Sequence, residues 1–286
     1  MQPIEANVDE IPGFRENEAA AQEQAAQHVS GHPLPVAVGR LVHVLKPTDV
    51  GQLRKQLDEI SKETVFDKIV TTYRLGQGGK LADTLDPSKD PTEDEELKRM
   101  FSLAGETIWP IAVRWLIEPA RIALVAEHPV QLRDMRFLTQ TNPFIRPGHE
   151  LIYARGIHAG FHGDWLLAMH VLIPQIEASL RHILQQHGVV TSKLESDGIQ
   201  DERDINKLLW EPKLSQILGD DVLFDLRGIL INRFGHNMRN EMSHGLMSAA
   251  SFSQEASVYL WWLVLRLCYR GYTLLSGDRP KTRAVS

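Results

Sequence analysis

Arg239-Asn240-Glu241-Met242-Ser243-His244-Gly245 places a fixed cation, an amide and an imidazole within two helical turns. Arginine suits a phosphate because its guanidinium is planar, multidentate and permanently charged. Histidine suits proton transfer because it titrates near neutral pH. Asn240 and His244, at i and i+4, share a helix face, whereas Arg239 starts about 140° from His244. A long side chain and a frayed helix end before Gly245 can close that angle. The combination matches what metal-free RNA cleavage requires. The ribose 2′-hydroxyl must lose a proton, the leaving 5′-oxygen must gain one, and phosphate charge must be stabilised. One imidazole does not readily perform both transfers. A second His244, brought by dimerisation, can supply the other.

A second polar set borders the same region. Glu177 and Arg181 are an i,i+4 pair, and His170 lies on their stripe one turn before Pro174. They form either a wall of the site, with Glu177 orienting Arg239 or His244, or an ordinary surface ion pair. Arg239, Asn240 and His244 likewise have a structural alternative, in which they hydrogen-bond neighbouring loops and lock a turn. His158 and His162 have a metal-ligand spacing, with His149 or Asp164 to complete a set, but the His-Glu-x-x-His order is absent. No metal and no cofactor is expected. Ser243 beside His244 is no nucleophile–base pair, since adjacent helix residues point apart.

Arg239-Asn240-x-x-x-His244-Gly245 resembles the signature of domain-of-unknown-function family number 4209. Pro147-Gly148-His149-Glu150, Gly163-Asp164-Trp165, Pro174-Gln175-Ile176-Glu177 and Arg181 resemble it too. The resemblance covers about residues 140–270. The same segment is similar in kind to the HEPN superfamily. It implies an HEPN-like helical bundle, commonly dimeric, whose active members are metal-independent ribonucleases serving defence or RNA stress responses. It also implies Arg239 and His244 as catalytic residues, with Asn240 as the polar neighbour. Other members are non-catalytic modules that bind RNA or protein.

These residues need elements to hold them. Asn237 is placed to cap a short helix that Gly245 ends. Leu223, Leu226, Ile229 and Leu230 form the apolar face of a helix over 222–234, which Gly235 stops. Trp165, Met169, Leu172, Ile176, Leu180, Ile183 and Leu184 predict a long helix kinked at Pro174. The segment 189–202 reads as a loop and 204–210 as a short helix. Ser251 with Gln254 predicts the cap of a last helix over 252–275. Its centre, Val258 to Leu267, is apolar nearly all round. Either the first half of the chain or a second copy must cover it.

Earlier in the chain, residues 1–35 read as a mobile tail. Val36 to Leu45 is either a strand or a buried helix turn. Leu53, Leu57, Ile60, Val65, Ile69, Thr72 and Tyr73 predict a helix broken by Gly76, Gly78 and Gly79. Those glycines are a turn, since no Gly-Lys-Ser/Thr follows. Thr92 with Glu95 is a capping box, and helices follow over 106–127 and 129–139. Asn142-Pro143 and Arg146-Pro147-Gly148 mark the expected boundary between an N-terminal helical region, 36–145, and the bundle, 146–286. The fold class is therefore all-α.

Composition limits the partners. The 286 residues carry 31 Lys and Arg against 37 Asp and Glu, a net charge of -6, which argues against broad coating of DNA or anionic membrane. From Arg227 to Ser286, eight basic residues face three acidic ones, so a confined phosphate site is compatible with the acidic total. The longest apolar run is eight residues, Val258 to Leu265, far short of a membrane span. Cys268 is the single cysteine, so a reducing, cytoplasmic setting is expected. The expected partners are RNA and a second copy joined through the C-terminal bundle.

Overall fold

The computed structural model describes residues 14–63, 72–75, 81–85, 92–194, 200–202 and 204–276. The architecture is all-α, with two small antiparallel hairpins attached. Helix α1 (Phe14–Val29) is followed by α2 (Leu34–Val42), α3 (Val50–Glu63) and the hairpin β1 (Thr72–Leu75) and β2 (Leu81–Leu85). Helix α1 replaces the expected mobile tail over 14–29. It is rich in Ala, Gln and Glu and buries only a narrow seam, Ala25 and Val29. The ambiguous Val36 segment is helical and belongs to α2. Thr72 and Tyr73 lie in a strand, not in the expected helix. Gly76 to Gly79 and the predicted helical positions Val65 and Ile69 fall outside the described residues.

The capping box forms as read. Thr92 Oγ1 accepts from Glu95 N–H, and the Glu95 carboxylate accepts from Thr92 N–H at 2.8 Å. It opens a continuous helical stretch from α4 (Glu93–Leu103) through α5 (Trp109–Ala112) to α6 (Glu118–Glu127). Two π turns, Ala104–Ile108 and Val113–Ile117, interrupt it, each just before a proline, Pro110 and Pro119. A proline ring clashes with the carbonyl four residues back, and a wider turn relieves that clash. The predicted helix over 129–139 is reduced to a 3₁₀ turn, Leu132–Met135, running into α7 (Arg136–Thr139).

Helices α8 (Glu150–Phe161) and α9 (Trp165–Gln186) form an antiparallel pair. Gly156 permits their close approach, since a Cβ there would lie 2.6 Å from the Leu172 side chain, and Gly160 leaves room for the Trp261 ring. The helix α9 continues through Pro174. The expected loop over 189–202 contains the hairpin β3 (Ser192–Leu194) and β4 (Gln200–Glu202). Then come α10 (Ile205–Leu208), α11 (Pro212–Leu218), α12 (Asp220–Leu230), α13 (Met238–Ser243), α14 (Ala249–Phe252) and α15 (Glu255–Ser276). The last helix thus starts later than its predicted cap, and Ser251 belongs to α14 instead.

The chain covers α15 itself. Val258 to Leu265 are all buried, against α2, α5, the second π turn, α7, α8, α9 and α12. Trp261 Nε1–H donates to Ile157 O at 3.0 Å, and Trp262 Nε1–H donates to Leu41 O at 3.0 Å. The two tryptophans therefore join α8 to α2 through the middle of one core. That core runs across residue 146, so the turn there divides no two hydrophobic interiors.

A buried acid fastens the same junction. Asp225 of α12 is fully buried. Its carboxylate accepts from Thr48 N–H at 3.1 Å, Trp109 Nε1–H at 3.0 Å and Tyr259 O–H at 2.8 Å. Burial pushes its pKa up to about 6, although these bonds pull the other way. Among the described residues no helix is long and apolar enough to cross a membrane.

Candidate functional site

Helix α13 is held by its two ends. At its start the chain folds back on α12, where His236 N–H donates to Gly228 O at 2.9 Å. Gly235 is required there, because a Cβ would meet Gly228 O at 1.9 Å. Phe234 and Met238 are buried and anchor the turn. Asn237 adopts the left-handed conformation, φ 48°, at the cap position. Its side chain does not cap a backbone N–H. Its Oδ1 accepts from Asn240 Nδ2 at 2.7 Å instead.

At the other end Gly245 (φ 65°) closes the helix. Gly245 N–H donates to Met242 O and Leu246 N–H donates to Glu241 O, the paired bonds of a Schellman motif. Asn237 and Gly245 thus bound the helix as the sequence predicts, with a different side-chain bond at its start.

The structure brings four of the six expected site residues together. Arg239 is half-buried, and its Nη2 lies 3.7 Å from Glu177 Oε2. Its Nη1 approaches Asn240 Oδ1 at 3.4 Å. Glu177 is also ion-paired with Arg181 on its own helix. The carboxylate thus sits between two guanidinium groups, and the cluster Arg181–Glu177–Arg239 carries a net positive charge. Of its two predicted targets, Glu177 meets Arg239.

His244 and His170 stand apart from that cluster. His244 is exposed, and among the described residues its ring makes no hydrogen bond or ion pair. Its backbone N–H donates to Asn240 O at 3.1 Å. His170 is exposed too. Its Nδ1–H donates to Leu166 O at 2.8 Å, and its ring lies against Phe252 of α14, 4.7 Å between centroids. It therefore braces α14 on α9. Ser243 Oγ–H donates to Arg239 O at 2.7 Å, which turns it away from His244.

The histidines with metal-ligand spacing have other roles. The rings of His158 and His162 lie 4.5 Å apart, and His162 Nε2 bonds Val130 O at 2.9 Å. Desolvation, and then the neighbouring His162, hold His158 below the usual histidine range. Asp164 caps α9 through Leu167 N–H, and His149 bonds Gln175. Among the described residues no three His, Cys, Asp or Glu are grouped to hold a metal. Cys268 is fully buried, and burial pushes its thiol well up.

A separate cavity of about 930 Å3 lies between α7 and α8, lined by Leu132, Arg136, Thr141, Glu150 and Leu151 among others. None of the predicted site residues lines it. Sequence reasoning missed Asp225, whose signal was an acid inside the apolar run Leu223-Phe224-Asp225-Leu226. No protein family, curated protein or solved structure matched the chain.

Proposed function

We propose that this protein is a metal-independent endoribonuclease of HEPN type. Arg239 binds the scissile phosphate and His244 transfers protons. The 2′-hydroxyl loses its proton to an imidazole, and its oxygen attacks phosphorus. The 5′-oxygen leaves with a proton from a second imidazole. The product is a 2′,3′-cyclic phosphate and a 5′-hydroxyl, so no water is consumed in the step. The second imidazole is His244 of another copy in a homodimer. The Trp261-Trp262 helix is covered within one chain, so the dimer uses another surface of the bundle. Exposed Leu246, Leu166 and Leu167 offer apolar area for it.

One observation carries this reading. His244 is exposed, and its ring is unbonded among the described residues, at the end of the same six-residue helix that holds Arg239 on Glu177. A purely structural histidine is expected to spend its ring on a local partner. The test is RNA cleavage by pure protein in excess chelator, with wild type beside His244→Ala. Cleavage by wild type alone, with unchanged melting, supports the assignment. Equal cleavage by both rejects His244, and cleavage abolished by the chelator rejects the metal-free mechanism.

A second reading is a non-catalytic module that binds RNA or protein through the same bundle. It is favoured by Arg239 already being paired with Glu177 and Asn240, so that a phosphate must share or displace these partners. RNA binding without cleavage in the same assay selects it.

A further inference from the structure

A second basic group stands at the other edge of helix α9, with only His182 on the helix itself. Residues 175 and 182 are seven apart and share a face, while Arg181 lies about 100° away from His182. Above that face runs the turn Arg146-Pro147-Gly148-His149. Proline second, glycine third with φ 88°, and His149 N–H donating to Arg146 O at 3.0 Å are the marks of a type II turn. Such a turn holds its first and last residues within about 7 Å of each other. Arg146 and His149 are therefore neighbours.

The turn is docked onto α9. His149 Nδ1–H donates to Gln175 Oε1 at 2.6 Å, which leaves Nε2 outside that bond. Tyr153 O–H donates to Gln175 O at 2.8 Å and meets Ser179 Oγ at 2.6 Å. His182 is one helix repeat beyond Gln175 on this face. Its Nε2 accepts from Gln186 Nε2–H at 2.9 Å, which leaves Nδ1 outside that bond. Desolvation, then Arg146, then His149 hold its pKa below the usual histidine range, which puts both neighbours within electrostatic reach of the ring. Arg146 is exposed, and among the described residues its guanidinium makes no hydrogen bond or ion pair. The nearest acid in sequence, Glu150, pairs with none of the three and lines the cavity against α7.

Among the described residues no carboxylate pairs with the Arg146 guanidinium, and an anion bound there favours the protonated, two-donor form of an imidazole beside it. Three donors on separate side chains suit the several oxygens of a phosphate better than the two of a carboxylate. We propose that Arg146, His149 and His182 form a second phosphate-binding site, which holds an RNA strand across the exposed face of α9 from Arg239. The two groups border that face on opposite edges, with Pro174 and Gln185 exposed between them. This deepens the ribonuclease reading by naming a place where the strand is held outside the reacting phosphate.

The test uses a 2′-O-methyl RNA oligonucleotide, which binds but has no free 2′-hydroxyl to react. Binding is measured against salt for wild type, Arg146→Gln/His182→Gln and Arg146→Lys. The double variant is expected to bind on the order of tenfold more weakly, with a salt slope smaller by about 0.7 for each phosphate it no longer neutralises. Arg146→Lys, which keeps the charge, should retain most of the affinity. Equal affinity and slope in wild type and a folded double variant overturn the site. Saturation by inorganic phosphate or polyglutamate without oligonucleotide binding overturns the strand assignment. The result is independent of cleavage, so a wild type that binds through these residues yet cuts no RNA defeats the ribonuclease reading alone.

Discussion

Arg239 of α13 and Glu177 of α9 face each other across 3.7 Å, while Arg181 holds the same carboxylate from its own helix. The pairing ties a six-residue helix to the longer helix of the α8–α9 pair. Under the proposed function it also sets the charge that a phosphate would meet, since Glu177 cancels one of two guanidiniums. Glu177→Gln should therefore raise affinity for 2′-O-methyl RNA by about threefold, and cost on the order of 1 kcal/mol of stability as Arg239 and Arg181 are left without their counter-charge. Binding isotherms at low and high salt, with chemical denaturation alongside, measure both. Weaker binding in a folded Glu177→Gln protein contradicts this account of the carboxylate.

His244→Ala should reduce any RNA cleavage by at least about 100-fold while changing stability by less than about 0.5 kcal/mol. The ring is exposed and bonded to nothing among the described residues, so its removal disturbs no packing. Asn240→Ala is the contrasting variant. It removes the bond to Asn237 Oδ1 and the approach to Arg239, and should cost about 1 kcal/mol. A melting temperature lowered more by His244→Ala than by Asn240→Ala shows that the histidine is structural.

These contrasts mark what was legible in the sequence. Asn237 and Gly245 bound α13 through backbone conformations set within a few residues, so its limits could be read locally. The apolar stripe of α9 and the Thr92–Glu95 box are also local. The Asp225 network could not be read in this way, because Thr48 lies 177 residues from its partner in the chain. Periodicity shows which face of a helix is buried but not what covers it. That is why α15 left its partner open between the first half and a second copy. Thr72 and Tyr73 were misread because steps of three and four overlap with strand alternation in a short run. Arg146 and His182 escaped because a turn and a helix face meet only in space.

Asp225 should make stability depend on pH in an unusual direction. Its folded pKa, about 6, lies above the ordinary aspartate value, so the folded state keeps the proton where the unfolded state has released it. Stability from this group is greatest below about pH 4 and is lost as pH rises to about 6. A shift of about two units corresponds to on the order of 3 kcal/mol. Asp225→Asn removes that slope, although its amide cannot accept from all three donors. Denaturant midpoints for both proteins between pH 4 and pH 7 isolate the effect. The difference between wild type and variant should shift against wild type as pH rises, and a difference constant across the range rejects the raised pKa.

Gly235→Ala should damage the site from a distance. The new methyl would meet the Gly228 carbonyl oxygen at 1.9 Å, and that atom is backbone, so no side chain can swing away. The turn must open, and the bond from His236 N–H to the same oxygen opens with it. Arg239 follows four residues later and reaches Glu177 only while α13 keeps its place. A cost of about 2–3 kcal/mol is expected, in the range of overpacking plus one buried backbone bond. Where the variant still folds, its RNA binding should fall towards that of Arg239→Gln. Gly245→Ala is the comparison. Its Cβ would meet nothing within 4 Å, so its cost is limited to the left-handed backbone at φ 65°, about 1 kcal/mol. Equal melting of the two variants would show that the turn at Gly235 yields freely, and that α13 is held by Met238 and the Glu177 pair alone.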